Sequence, residues 1–137
     1  MGYISLYKLG QKMDSQKAKN LNAVVLAFVG DAVFSLFVRE KLTFNSDLKT
    51  NQLNKLATAE VKATAQAELI KQIMPLLNEE ELAIFKRGRN AKKPSKSKSC
   101  SVVEYNKSTG FEAVIGFLYI TGEHERLNYL LNYEVEK

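Results

Sequence analysis

At 137 residues the chain is long enough for one domain with a buried core, and its hydrophobic fraction of 45% and charged fraction of 26% are ordinary for a globular protein. The longest apolar stretch, residues 23–38, is shorter than the roughly 20 residues of a membrane-spanning helix and contains Asp31, which excludes a membrane partner and predicts a buried helix. A single cysteine excludes an internal disulfide, and without a secretory signal the expected location is the cytoplasm.

The first half of the chain predicts helices. Apolar residues recur with helical spacing and few glycines or prolines interrupt them, so the whole chain, residues 1–137, is expected to form one all-α domain. Residues 1–18 are expected to be flexible or to form a short helix. A helix from Asn20 to Lys41 is apolar nearly all round and therefore central. The segment "TFNSD" ends it, with Ser46 as the N-cap of the next helix.

The second half predicts further helices separated by turn signals. Residues 47–77 form two helices or one bent helix, which Pro75 ends. "NEEELAIFKRGRN" starts a helix with Asn78 as N-cap and places acids in its first turn and bases in its last, in accord with the helix dipole. Residues 91–101 form a flexible basic loop. Two more helices are predicted, at 102–120 and 123–133.

Two acids lie within strongly apolar helices. "LAFVGDAVFSLFV" contains Asp31, and a carboxylate taken out of water needs a counter-charge, hydrogen-bond donors or a metal ion. "FEAVIGFLYI" contains a second acid, Glu112, and the nearby Gly30 and Gly116 allow two helix backbones to approach closely. The two carboxylates are therefore expected to face one another. Unpaired, they would repel until one protonates, whereas Mg²⁺ binds one or two carboxylates, several waters and phosphate oxygens.

Structural alternatives for both acids stay open at this stage. An arginine or backbone N–H groups could hold Asp31, and Glu112 could cap the N-terminus of its own helix.

The composition and motifs of the chain exclude several other kinds of site. One histidine and one cysteine cannot form a conventional zinc site, and the chain has neither a Walker A loop nor a dinucleotide-binding glycine pattern.

Positive charge is concentrated in one segment. Residues 86–98 contain seven of the 20 Lys and Arg residues and no acid, whereas the rest of the chain holds 13 basic and 15 acidic residues. This distribution predicts one anionic partner at one site, although a merely solvated loop is the alternative. Few aromatic residues accompany the bases, which favours a duplex bound through its backbone and shape over a stacked single strand.

Three segments together, "LAFVGDAVFSLFVRE", "KRGRNAK" and "STGFEAVIGFLYITG", resemble the Mini-III ribonucleases. These are small relatives of ribonuclease III that have its catalytic domain and no double-stranded RNA-binding domain. The resemblance covers roughly residues 20–131. It implies an all-α, ribonuclease III-like helical bundle that forms a homodimer, cleaves double-stranded RNA with Mg²⁺, and leaves 5′-phosphate and 3′-hydroxyl ends. The implied substrate is the 23S ribosomal RNA precursor, and a ribosomal protein is a candidate further partner.

The resemblance also assigns roles to residues. Asp31 matches the catalytic Asp of "GDA" and Glu112 the catalytic Glu of "FEA", so both are expected to be catalytic and to bind Mg²⁺. The segment "KRGRNAK" and the loop after it match the region that engages the duplex. The residues expected to contact RNA are Lys86, Arg87, Arg89, Asn90, Lys92, Lys93, Lys96 and Lys98.

Departures from the larger ribonuclease III enzymes leave part of the site open. Those enzymes have further acids at positions where this chain has Val24, Ala27 and Thr109, so neither the number of metal ions nor the remaining ligands follow from the resemblance. The dimer interface is also open. The helix around Asp31, with the face of Phe34 and Phe37, is one candidate, and core packing is the alternative role of these rings.

Two rival functions are set against a nuclease. One is a non-catalytic helical module that binds structured RNA, for example during ribosome assembly. The other is an all-α, Mg²⁺-dependent nucleotide pyrophosphatase, whose paired carboxylates lie one helical turn apart on helices that face the site. "NEEEL" offers only glutamates expected to be exposed at a helix start, which disfavours the pyrophosphatase.

Overall fold

The computed structural model describes residues 6–45, 47, 49–93 and 101–133, and within these ranges it is helical and contains no strand. A 3₁₀ turn, Met74–Leu76, lies between the fourth and fifth of the α-helices given next. The α-helices of the described ranges are α1 (Ser15–Lys19), α2 (Ala23–Asn45), α3 (Thr50–Val61), α4 (Ala63–Ile73), α5 (Glu79–Asn90), α6 (Val102–Ile120) and α7 (His124–Leu131).

Helix α6 lies at the centre of the fold. Its N-cap is Ser101, whose hydroxyl accepts the backbone N–H of Glu104 at 3.1 Å, and between Ser108 and Leu118 every residue except Glu112 is buried. The helix packs mainly against α2 and α5, with α4 and α7 completing its surroundings. The sequence predicted α2 as the central helix, but α2 leaves one apolar face exposed, so the more enclosed helix is α6.

Both bounds of α2 differ from the predicted ones, Asn20 and Lys41. The helix starts at Ala23, because the side chain of Asn22 accepts the backbone N–H of Val24 at 2.7 Å. It continues four residues beyond Lys41 to Asn45, where Leu42 still packs against the core. The predicted cap of the next helix, Ser46, lies outside the described residues, and α3 begins only at Thr50.

A buried ion pair ties α5 to α7. Asn78 caps α5 as predicted, since its side chain accepts the backbone N–H of Glu81. The Glu81 carboxylate in turn accepts the backbone N–H of Asn78. Glu81 is only 2% exposed, so the expectation of exposed glutamates in "NEEEL" is wrong for this residue. Burial opposes its ionisation, but hydrogen bonds from Arg126 at 2.7 and 2.8 Å and from the Asn78 N–H, with the Arg126 charge, lower its pKa overall. The ion pair therefore fixes the start of α5.

Across the described ranges, none of the helices combines the length and apolar character needed to cross a membrane.

Candidate functional site

Two glycines set the distance between α2 and α6. A Cβ atom on Gly30 would overlap the carbonyl oxygen of Glu112 and come within 2.8 Å of the Gly116 nitrogen. A Cβ atom on Gly116 would overlap the carbonyl oxygen of Leu26 and come within 2.9 Å of the Gly30 nitrogen. The two backbones are therefore in direct contact, and the close crossing expected from the sequence is present.

Asp31 and Glu112 meet beside this crossing. Asp31 follows Gly30 on α2, and Glu112 lies one turn before Gly116 on α6. Burial, the negative charge of Asp31 and a hydrogen bond with Asp31 together raise the pKa of Glu112 to about 8, against a hydrogen bond from Gln66 that lowers it. Without a cation, this raised pKa favours the protonated form of Glu112 at neutral pH. This is the repulsion that the sequence predicted.

The two carboxylates differ in solvent exposure, which the sequence did not predict. Asp31 is exposed on α2, so the expectation of a carboxylate withdrawn from water is wrong for this residue. The acid that loses solvent is Glu112, since it lies on the enclosed helix α6 and is partly buried. Asp31 is accessible to a ligand from solution, and Glu112 forms the floor of the site.

The structural alternatives for both acids fail in the part of the chain that the structure describes. The ion pairs there join Lys19 to Glu80, Lys41 to Glu60 and Arg126 to Glu81, so no basic side chain neutralises Asp31. Glu112 lies in the middle of α6, whose N-terminus is capped by Ser101, and therefore does not cap its helix.

Gln66 is a site residue that sequence reasoning missed. It lies on α4, is 1% exposed, and its Nε2 donates to Glu112 Oε2 at 3.4 Å and to the Val61 carbonyl at 2.9 Å. Its Oε1 accepts the hydroxyl of Ser108 at 2.9 Å. The signal in the sequence is a glutamine on the same helical face as Ile70 and Ile73, where a buried apolar residue is expected.

The donors at the crossing suit Mg²⁺. Within the described ranges, no group of three or more Asp, Glu, His or Cys residues could hold a metal ion, so the pair provides two carboxylates and no further acid. Ala27 and Thr109, where larger enzymes have acids, are buried, and the Thr109 hydroxyl donates to the Tyr105 carbonyl at 3.0 Å. Mg²⁺ commonly takes one or two carboxylates and completes its shell with water and phosphate oxygens, so the residues present fit this ion.

Some side chains of the basic segment are exposed, and some donate hydrogen bonds within the chain. Lys86, Asn90 and Lys92 are exposed at the end of α5. Arg87 donates to the carbonyls of Lys19 at 2.8 Å and Leu21 at 2.5 Å, and so holds the chain that enters α2.

The other described bases bond near the α5 C-terminus. Lys93 donates from Nζ to the carbonyls of Arg89 at 3.1 Å and Ala91 at 2.7 Å, and Arg89 donates from Nε to Asn90 Oδ1 at 3.1 Å. Lys96 and Lys98 lie outside the described residues. The flexibility predicted for 91–101 therefore stays a prediction.

An exposed apolar stripe runs along α2 on the face turned away from α6. It consists of Val25, Phe28, Ala32 and Leu36, and Phe28 is 80% exposed. The candidate face predicted from sequence is different: Phe34 is buried, and its ring packs edge-on against Phe111 with 5.3 Å between centroids. Phe34 therefore belongs to the core of this chain.

Comparison with known proteins identifies the family. The profile of the ribonuclease III domain matches residues 24–123. Mini-ribonuclease 3 of Clostridium tetani is 44% identical over 91% of this chain and 83% of the relative, and that of Thermoanaerobacter sp. is 42% identical over 99% and 94%. Mini-ribonuclease 3 of Brevibacillus brevis is 47% identical over 85% of this chain and 88% of its own.

A solved structure has the same fold. The crystal structure of a protein from Fusobacterium nucleatum superposes with a TM-score of 0.75 and 34% identity, covering 82% of this chain and 90% of the other. The fold predicted from the sequence is thereby confirmed. The chain belongs to the Mini-ribonuclease 3 family, has an all-α ribonuclease III domain and is an endoribonuclease.

Proposed function

We propose that this chain hydrolyses double-stranded RNA with Mg²⁺ at the Asp31–Glu112 pair. The observation that carries the proposal is the placement of two carboxylates against each other, one exposed and one partly buried, with no described basic side chain to neutralise them. A divalent cation would offset both the burial and the repulsion from Asp31 that raise the pKa of Glu112. The rival pyrophosphatase requires paired acids one helical turn apart on a helix that faces the site, and the Asp31–Glu112 pair instead joins two helices.

The chain's own residues account for binding and orientation at the site. Asp31, exposed at the edge of α2, can be reached by a phosphate of a bound duplex, whereas Glu112 is fixed below it by the α2–α6 crossing. When bound, Mg²⁺ would lower the pKa of a water molecule and offset charge on the phosphate. Attack of water on the phosphorus, with release of the 3′ oxygen, would leave a 5′-phosphate on one product and a 3′-hydroxyl on the other.

The end of α5 and the segment after it are proposed to hold the RNA backbone. Lys86, Arg89, Asn90 and Lys92 carry donors at or near the surface, and their contacts to phosphate are expected to be salt-sensitive and independent of sequence. Arg87 and Lys93 add positive charge to this surface in addition to their bonds within the chain. Lys96 and Lys98 complete the proposed set.

We also propose a homodimer, with the exposed stripe of α2 as its interface. One site of this kind cuts one strand, so cleavage of both strands calls for two sites related by a twofold axis. The stripe passes directly beside Asp31, with Phe28 one turn before it and Ala32 next to it, so a second copy docked there would bring two sites together. An exposed aromatic surrounded by aliphatic residues is typical of such an interface.

The specific substrate and location are proposed on the family resemblance. The substrate is the 23S ribosomal RNA precursor, and the location is the cytoplasm. A ribosomal protein stays a candidate partner. None of these three depends on the geometry of the Asp31–Glu112 pair.

The test is cleavage of a long RNA duplex in Mg²⁺ and in EDTA, by the wild-type chain and by Asp31→Asn. We expect cutting that needs Mg²⁺ and that falls by at least about 10³-fold in the variant, since metal-assisted catalysis is worth several kcal/mol. Glu40→Gln is the matched control, because Glu40 is an exposed acid of the same helix away from the crossing. Duplex binding without cutting by the wild type would instead support the non-catalytic RNA-binding module.

A further inference from the structure

Every polar atom of the buried Gln66 side chain has a partner. The amide nitrogen has two hydrogens, one directed to the Val61 carbonyl at 2.9 Å and one to Glu112 Oε2 at 3.4 Å, and the amide oxygen accepts from Ser108 Oγ at 2.9 Å. The opposite amide orientation would place its oxygen against the Val61 carbonyl and the Glu112 carboxylate. The Val61 carbonyl and the Glu112 carboxylate both need a donor, so these two acceptors fix the nitrogen end of the amide towards Glu112.

Gln66 connects two helices at the level of the site. Ser108 and Glu112 lie four residues apart on α6 and therefore on one face of that helix, while Gln66 comes from α4. The amide binds both of them, so the Glu112 side chain is anchored to a second helix through one of its two oxygens.

Anchoring matters here because Glu112 approaches an acid on a different helix. A glutamate side chain has three rotatable bonds before its carboxylate, and repulsion from Asp31 favours rotation away from the pair. Donors that hydrogen-bond a carboxylate ligand hold it in the orientation that binds the metal, and their loss commonly lowers metal affinity or activity by about 10–100-fold.

We propose that Gln66 is a positioning residue that holds the Glu112 carboxylate in the orientation in which it and Asp31 bind the divalent cation. This inference deepens the proposed function and rests on it. Gln66 acts through Glu112 and is not assigned a contact with RNA. The amide fixes one oxygen of Glu112 and leaves the other for the cation.

The test measures Mn²⁺ binding to the RNA-free protein by electron paramagnetic resonance, in the wild type, in Gln66→Met and in Ser108→Ala. Methionine has a similar length and no donor, so Gln66→Met is expected to bind Mn²⁺ about 10–100-fold more weakly. Ser108→Ala is the matched control, because it breaks the other side-chain bond of the same buried amide and leaves the contact to Glu112 in place. Its affinity is expected to stay within about threefold of the wild type, against the 10–100-fold loss above.

The double variant Gln66→Met with Ser108→Ala guards against a Gln66→Met protein that does not fold. Replacing both partners of a buried hydrogen bond by apolar groups is close to neutral for stability, whereas leaving one partner alone is costly. The double variant still leaves the Val61 carbonyl without its donor, so we expect it to melt nearer to the wild type than Gln66→Met does and to bind Mn²⁺ about 10–100-fold more weakly than the wild type. In duplex cleavage, the Mg²⁺ concentration for half-maximal rate is expected to rise by the same factor, and the rate at saturating Mg²⁺ to fall less.

Two results would overturn the inference while the proposed function stands. One is wild-type Mn²⁺ affinity in both proteins that lack Gln66. The other is an equal loss of affinity in Ser108→Ala, which would mean that the network acts only through stability. A wild-type chain that cuts no duplex and binds no Mn²⁺ would overturn the proposed function itself, and the positioning role with it.

Discussion

The carboxylate pair and the basic segment are both proposed to act on RNA, but they are constructed in opposite ways. Asp31 and Glu112 are 81 residues apart in sequence and are brought together by contact between two helix backbones, with Gln66 of a third helix bonded to one of them. The described bases lie within eight residues at the end of one helix, and most are at the surface. The proposed chemistry, which requires a fixed geometry, thus lies where two helix backbones cross, and charge that only needs to be near phosphate lies at the end of one helix.

This difference predicts different responses to mutation in the two regions. A small change at the crossing is expected to remove activity through geometry, whereas a change in the basic segment is expected to weaken binding by a modest, salt-dependent amount. Arg87 is the exception in the basic segment, since its guanidinium also holds the entry to α2.

The largest effect is expected from Glu112→Gln. Duplex cleavage should fall by at least about 10³-fold, because one of the two carboxylates is lost. The same change should raise the melting temperature of the metal-free protein at pH 8, since it removes a charge that burial and Asp31 both disfavour. Cleavage assays test the first expectation, and thermal melts in EDTA test the second. A drop in both the cleavage rate and the melting temperature would assign Glu112 a structural role instead.

Gly30→Ala tests the crossing itself. A methyl group at this position would overlap the Glu112 carbonyl, so the helices must separate, and overpacking of this kind costs about 1–3 kcal/mol or more. Cleavage is expected to be lost even where the variant folds, because the carboxylates move apart. Glu40→Gly, at an exposed position of the same helix away from the crossing and the stripe, measures the cost of up to about 1 kcal/mol in helix propensity alone and should leave cleavage nearly unchanged. A Gly30→Ala protein with wild-type activity would contradict the close crossing.

Phe28→Ser tests the proposed dimer interface. Loss of the most exposed ring of the stripe is expected to shift the protein to a monomer in sedimentation and to slow cleavage of both strands. Phe44→Ser is the matched control, since Phe44 is 84% exposed on the same helix but lies off the stripe. A wild-type chain that sediments as a monomer at micromolar concentration would count against the interface.

Lys86→Ala and Arg87→Ala compare the two kinds of base. Lys86→Ala should weaken RNA binding uniformly across sequences and reduce the slope of log affinity against log salt by about 1, with no change in melting temperature. Arg87→Ala should also lower the melting temperature, because two backbone carbonyls lose their donor. Equal melting temperatures for the two variants would show that the bonds of Arg87 do not stabilise the fold.

The last prediction concerns the pH dependence of stability without metal. The pKa of Glu112 is raised from the ordinary 4.5 to about 8 in the folded chain, so the folded state binds more protons than the unfolded one between these values. Its contribution to stability is therefore complete below pH 4.5 and is lost as the pH rises to about 8. Denaturant titrations in EDTA should show this decline in the wild type and a flatter profile in Glu112→Gln; equal profiles would contradict the raised pKa.

The sequence predicted the helices and the pairing of the two acids, but not their surroundings. Apolar periodicity and caps such as Asn78 are local signals, and the prediction of α6 at Val102–Ile120 is correct. Solvent exposure depends on which face of α2 meets α6, so Asp31 was wrongly expected to be buried. Gln66 could not be assigned a role, because its partners Ser108 and Glu112 lie 42 and 46 residues away in sequence.

The most direct test of the central claim is the position of the bound cation. Crystals of the chain grown with Mn²⁺ in place of Mg²⁺ should show an anomalous peak between Asp31 and Glu112, about 2 Å from an oxygen of at least one of them. The same peak should vanish in crystals of Asp31→Asn. A peak elsewhere in the molecule, or none at a Mn²⁺ concentration that supports duplex cleavage, would contradict the two-carboxylate site.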